Sequence, residues 1–298
     1  MDVGIDLTSA AAEAAIRDGT PLAAVGALAV DPAEIAEELR RVATDLAETA
    51  ELGSAAYATA RRLSEGTIDV APVLQAAFSG DDGTIERNAY RLGLDAPAFA
   101  QLLQLAVQPA LWQAVDQLSV LTDIDRWDRG YCPVCGAWPA LAELVGPERR
   151  RVLRCTRCGV GWSWLVLLCP YCGNDDHRTL GVLAEYAGSA ERHPAQPAAP
   201  NEEADVEAGA GGAHGSKATG GRTLGVRVDV CERCHGYVKA IDTFNSHPAV
   251  RLLAEDAATV HLDVAANEAG YKRPGDVDVE TAGIPRLVRE GGIAPAGE

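Results

Sequence analysis

The eight cysteines of this 298-residue chain fall into four CxxC pairs with none left over, and no other feature limits its possible folds so tightly. The pairs are C-P-V-C-G at Cys132 and Cys135, C-T-R-C-G at Cys155 and Cys158, C-P-Y-C-G at Cys169 and Cys172, and C-E-R-C-H-G at Cys231 and Cys234. Two residues between thiols let a tight turn aim both sulfurs at one ion. A following glycine takes the positive φ that such a knuckle needs, and amide N–H groups then face the thiolates. Two knuckles make one tetrahedral site, so all eight cysteines are candidate ligands of two four-cysteine metal centres.

The intervening sequence says which pairs combine. Nineteen residues lie between Cys135 and Cys155, and they read as strand Leu141 to Val145, a Gly146-Pro147-Glu148 turn and strand Arg151 to Arg154. That hairpin returns the chain to the first knuckle. Thr179 to Tyr186 and Leu224 to Val230 read as a second pair of strands, which joins Cys169 and Cys172 to Cys231 and Cys234. The alternative is a crossed pairing, first knuckle with third and second with fourth. Between the two ribbons, Val160 to Leu168 is apolar at alternate positions on both faces, an expectation of burial with Trp162 and Trp164 in the core. Four thiolates suit zinc or iron equally, since both accept tetrahedral sulfur.

In a reducing cytosol paired cysteines serve as metal ligands or redox centres more often than as disulfides. The first residues, Met1-Asp2-Val3-Gly4-Ile5-Asp6, carry acid where a signal peptide needs a basic region, and no apolar run approaches the roughly 20 residues that cross a bilayer. A cytoplasmic protein without membrane insertion is expected. The formal charge of −17 opposes binding to phosphate backbones, which leaves protein or small-molecule partners, with a homo-oligomer also compatible.

Upstream of the cysteines, the pattern predicts helices. Asp31-Pro32-Ala33-Glu34 supplies an N-cap and a proline at the first helical position, followed by Ile35, Leu39, Val42 and Leu46 at helical spacing. A second stripe starts at Asp95 with Phe99, Leu102, Leu103, Val107, Leu111, Val115 and Leu118, and Pro109 predicts a kink in it. Shorter helices are expected at Tyr57 to Leu63 and Val73 to Phe78. The resulting fold class is α+β, with five parts: a helical bundle over residues 1–126, a first four-Cys zinc-ribbon-like lobe over 127–168, a second over 169–246, one C-terminal helix within 247–272 and a tail from 273 to 298. An Ala/Gly/Pro/Glu-rich insertion at 187–222 reads as flexible, with His193 and His214 as solvated bystanders.

With these residues in place, the chain resembles the FdhE family of formate dehydrogenase accessory proteins over roughly Leu52 to Arg273. The resemblance rests on the order Trp127-Asp128-Arg129-Gly130-Tyr131, C-P-V-C-G-A-W-P, C-T-R-C-G-V-G-W, C-P-Y-C-G, C-E-R-C-H-G-Y-V-K and L-D-V-A-A-N-E-A-G-Y-K-R. It implies two rubredoxin-like iron sites and a non-enzymatic role in assembly, through binding of the formate dehydrogenase catalytic subunit. It implies no oxidation of formate by this chain. Competing readings are a rubredoxin-like electron carrier, which has no need of a helical domain, and a zinc-ribbon nucleic-acid binder, which the charge opposes. No Gly-x-Ser-x-Gly, P-loop or HExxH motif points to hydrolase or transferase chemistry. The basic residues Arg149, Arg150, Arg151, Arg154 and Arg157 suggest either a partner surface or a solvated hairpin face. Tyr237 and Lys239 pose the same choice, Asp242 reads as strand surface, and His235, in place of glycine, reads as a solvent-facing turn residue, with an outer-shell contact to the second site as the alternative.

Overall fold

The computed structural model describes residues 3–48, 53–139, 141–186, 189–194 and 225–273. The helical half opens with a strand, β1 (Val3–Asp6), then α1 (Ser9–Asp18), the single turn α2 (Leu22–Val25) and β2 (Ala27–Val30). β1 and β2 pair antiparallel, Val3 opposite Val30, a small sheet that the helical reading of residues 1–126 did not anticipate.

Five helices follow: α3 (Pro32–Leu46), α4 (Gly53–Ser64), α5 (Val70–Ser79), α6 (Asp82–Leu92) and α7 (Ala96–Leu121). Their starts obey capping chemistry. Asp31 accepts from the Ala33 amide at 2.8 Å, Asp81 from Thr84 at 2.9 Å and Asp95 from Ala98 at 3.0 Å, so the first free amides of α3, α6 and α7 have partners. α7 is the axis of this half and packs against α3, α4, α5 and α6. Phe99, Leu102, Leu103, Val107, Leu111 and Leu118 are buried along it. It continues through Pro109 as one helix, because the ring removes a single internal hydrogen bond while packing on either side is retained. The Gln117 side chain donates to the Val3 carbonyl at 2.7 Å and so ties β1 to α7.

The cysteine-rich half is built on one sheet. Its strands are β3 (Leu141–Val145), β4 (Arg150–Arg154), β5 (Gly161–Ser163), β6 (Leu180–Tyr186), β7 (Ser189–Pro194), β8 (Val226–Cys231) and β9 (Tyr237–Thr243), in the spatial order β5-β4-β3-β9-β8-β6-β7. Both expected hairpins form, β3 with β4 and β6 with β8. They are joined through the parallel pair β3–β9, Leu141 opposite Lys239, so the two ribbons share a continuous backbone ladder. β7 lies at the start of the stretch read as a flexible insertion and pairs with β6, placing His193 opposite Val182; His214 lies outside the described residues.

Two helices, α8 (Ala249–Ala258) and α9 (Val260–Glu268), cover one face of the sheet, packing Leu252 on Leu141 and Ile241, and Leu262 and Ala266 on Val228, Val230 and Tyr237. A single helix was expected here. It breaks at Thr259, whose φ of −109° leaves the helical range and whose hydroxyl returns to the Glu255 carbonyl at 2.7 Å. The expected burial of both faces of Val160 to Leu168 also fails in part. Trp162 and Trp164 are buried, but Leu165, Val166 and Leu167 are about half exposed, because β5 ends at Ser163 and the chain turns toward Cys169. Among the described residues no helix is long and apolar enough to cross a membrane.

Candidate metal centres

Each CxxC pair folds into the same turn. The residue after the pair has a positive φ, 75° at Gly136, 77° at Gly159, 65° at Gly173 and 55° at His235. Its amide donates to the carbonyl of the first cysteine at 3.0, 2.8, 3.0 and 2.8 Å respectively. The amide of that first cysteine in turn donates to Ala137, Val160, Asn174 or Gly236 at 2.8 to 3.0 Å. Glycine adopts this left-handed backbone freely, whereas a side chain there costs on the order of 1–2 kcal/mol, which His235 bears at the fourth knuckle. His235 is exposed, as expected, and its ring lies 6.1 Å from that of Tyr271.

The turns bring the thiols together in the expected combination. Cys132, Cys135, Cys155 and Cys158 form one group, and Cys169, Cys172, Cys231 and Cys234 the other, with the sulfurs of each group all within 4.8 Å of one another. Sγ–Sγ separations are 3.5 Å for Cys132–Cys158 and Cys135–Cys155, and 3.7 Å for Cys169–Cys234 and Cys172–Cys231. A disulfide would need about 2.05 Å. A tetrahedron of sulfurs about 2.3 Å from a central ion has edges of about 3.8 Å, so the donor sets fit a metal ion, and each group could hold one.

The electrostatics agree with that fit. Burial pushes the Cys132 and Cys158 thiols well above their ordinary range, while hydrogen bonding with Cys132 holds Cys135 well below it. In the second group a hydrogen bond with Cys169 lowers Cys172 to about 7, and the Cys169 thiol is itself pushed up by its contact with Cys172. Four clustered thiols, three of them buried in each group, cannot all ionise side by side without a compensating cation. Amides already face the sulfurs: Val134 and Cys135 donate to Cys132 Sγ, both at 3.4 Å, and Asn174 Nδ2 donates to Cys231 Sγ at 3.5 Å.

The helical half grips the first group directly. Leu22 and Ala23 donate to the Pro133 and Val134 carbonyls at 2.9 Å, and Tyr131 donates to the Gly19 carbonyl at 2.6 Å. Gln104 and Gln108 on α7 reach the Arg157 and Thr156 carbonyls, each at 3.4 Å. The two groups are also tied to each other. Tyr171, inside the third knuckle, is fully buried and donates to the carbonyls of Pro139 at 2.7 Å and Tyr237 at 3.0 Å. An edge-to-face series runs from Trp127 through Tyr131 and Trp138 to Tyr171, with centroids 5.4, 5.8 and 5.6 Å apart.

Three of the five arginines are spent inside the fold, which corrects both readings for Arg151, Arg154 and Arg157, while Arg149 and Arg150 lie on an exposed hairpin face. Arg151 and Arg154 are buried, paired with Asp229 and Glu143, and Arg157 donates to the Ala77 carbonyl. Arg149 and Arg150 stay exposed, and Arg149 pairs with Asp242 at 2.8 Å. Tyr237 and Lys239 are buried, neither partner contact nor strand surface. Lys239 Nζ meets Asp256 Oδ1 at 2.6 Å and Asp263 Oδ2 at 2.9 Å, and Arg273 pairs with Asp256 at 2.9 Å. Tyr237 donates to Asp263 at 2.8 Å. Asp256 and Asp263 escaped the sequence reading, although Lys239 sits between Tyr237 and Ile241 on one strand face, a position where a lysine needs buried partners.

Residues 213–278 match the family described as FdhE, C-terminal domain. The chain is 27% identical over 168 residues to the FdhE homolog of Aquifex aeolicus, covering 55% of this chain and 46% of that protein. It is 28% identical over 142 residues to the FdhE homolog of Shewanella baltica strain OS185, covering 47% and 35%. The matched stretches thus span less than half the length of these relatives. The crystal structure of the FdhE protein from Pseudomonas aeruginosa has a similar fold, with a TM-score of 0.53 at 21% identity over 87% of this chain and 75% of that one. The resemblance carried by the cysteine motifs is present in both sequence and fold.

Proposed function

We propose that this FdhE-family chain is a non-enzymatic accessory protein in the formation of active formate dehydrogenase, acting by binding that enzyme's catalytic subunit. The observation that carries this reading is the pair of four-cysteine groups, held in one sheet and anchored to a helical half, in a fold shared with an FdhE protein. Cys132, Cys135, Cys155 and Cys158 hold one metal ion, and Cys169, Cys172, Cys231 and Cys234 hold the other. A bound ion neutralises the thiolates, and iron would add a one-electron couple that zinc lacks. The rest belongs to the chain itself: knuckle amides orient the sulfurs, Tyr171 fixes the spacing between the groups, and the shared ladder joins their two ribbons.

The test is genetic and biochemical together. Removal of the chain from its host abolishes formate dehydrogenase activity, and the tagged chain co-purifies with the catalytic subunit before that subunit is active. Unchanged activity on removal, with no association, would contradict the proposal.

A further inference from the structure

We propose that the two four-cysteine sites bind metal cooperatively, coupled by the side-chain hydroxyl of Tyr171. Tyr171 lies between Cys169 and Cys172, so its backbone belongs to a knuckle of the second group. The residue is 1% exposed. Its hydroxyl reaches the Pro139 carbonyl at 2.7 Å and the Tyr237 carbonyl at 3.0 Å, and a single hydrogen serves both. Pro139 follows the first knuckle and Tyr237 follows the fourth. The Tyr171 ring packs on Gly236, where an added Cβ would lie 2.5 Å from Tyr171 Cδ2, and meets Trp138 edge to face. The turns beside these contacts are the ones that close knuckles. The Cys132 amide donates to the Ala137 carbonyl at 2.8 Å, and the Cys231 amide to the Gly236 carbonyl at 3.0 Å.

A four-cysteine site is rarely preformed before its ion binds, and part of the binding free energy goes into ordering its turns. Joining the third knuckle to the fourth seats Tyr171 between Gly236 and Trp138. Seated there, its hydroxyl holds Pro139, and with it the turn that presents Cys132 and Cys135. A buried carbonyl that lost this hydroxyl would be left unsatisfied, so the two ends of the contact order together. The first group then has less left to order and binds its own ion more tightly. Linkage makes the effect reciprocal, so filling the first group raises the affinity of the second by the same factor. The inference rests on the reading of both groups as metal sites and goes beyond it in making their loading interdependent.

The zinc-loaded full chain, equilibrated with rising EDTA in the absence of oxygen, tests this by native mass spectrometry, which counts chains carrying zero, one and two ions. Two independent sites, alike or not, must pass through a stage at which about half or more of the chains carry one ion. Coupling of at least about fivefold keeps that one-ion share below about half at every EDTA concentration. Tyr171→Phe keeps the ring, removes the hydroxyl and raises the largest one-ion share to about half or more. A hydroxyl with only a structural role would weaken both sites alike and leave the largest one-ion share unchanged. A wild-type share of half or more, or an unchanged share in Tyr171→Phe, would overturn the coupling alone. A chain that takes up no zinc would overturn it together with the metal-site reading.

Discussion

Lys239 Nζ lies 2.9 Å from Asp263 Oδ2, with the lysine side chain wholly shielded from solvent. This contact joins β9, the strand at the centre of the sheet, to α9. With Asp256, Arg273 and Tyr237 it forms a charge-balanced cluster that fastens both C-terminal helices to the sheet.

Lys239→Met leaves two aspartates in that cluster facing only Arg273. Removing one partner of a buried ionic group costs about 3–5 kcal/mol, and urea unfolding should show a loss of that size. A loss under about 1 kcal/mol, the value of an exposed pair, would mean that water already screens these charges.

The same cluster sets an acid limit. Burial alone would raise Asp256, but hydrogen bonds from Arg273 and Lys239, with their charges, outweigh it and hold the carboxyl below its ordinary value. Its folded pKa is depressed, so the stabilisation is complete above the unfolded value near 3.9 and is lost as pH falls through the folded one. The stability gap between wild type and Asp256→Asn should stay constant above about pH 5 and shrink below about pH 4. A gap that shrinks near neutrality would contradict this assignment.

Gly130 shows how closely the two centres are joined. A Cβ at this residue would meet the Pro170 carbonyl oxygen at 1.8 Å, and Pro170 belongs to the third knuckle while Gly130 leads into the first. Gly130→Ala therefore forces the knuckles apart, with a cost at or above the roughly 1–3 kcal/mol of an overpacked core. Thermal melting should show a lowered Tm; an unchanged Tm would show that the knuckles move apart freely.

Much of this architecture is legible in the chain because it depends on local chemistry. Asp31 and Asp95 announce α3 and α7 through capping, and the sequences around Gly146 and between Thr179 and Val230 announce the hairpins. The grouping of the eight cysteines follows from those hairpins. What the sequence conceals is non-local. Nothing near Leu141 says that β3 pairs in parallel with β9 about a hundred residues later, since parallel partners carry no turn signal between them. The same gap hid the destinations of the arginines. Arg154 reads as a surface residue until β3 places Glu143 beside it, and Lys239 until α8 and α9 supply Asp256 and Asp263.

Cys169→Ser removes one ligand from the second group. Because an ion held there would tie the third knuckle to the fourth, limited proteolysis should lose protection across β6, β8 and β9 while α3 to α7 remain protected. Equal protection of both halves would show that the sheet holds without the second centre.

The central claim is that each four-cysteine group is a metal site. Elemental analysis with absorption spectroscopy, on protein purified without oxygen, tests it most directly. The account predicts two ions per chain, with thiolate-to-metal bands bleached by dithionite if they are iron and a colourless sample if they are zinc, and one ion per chain for Cys169→Ser. A folded protein with eight titratable thiols and no bound metal would contradict it.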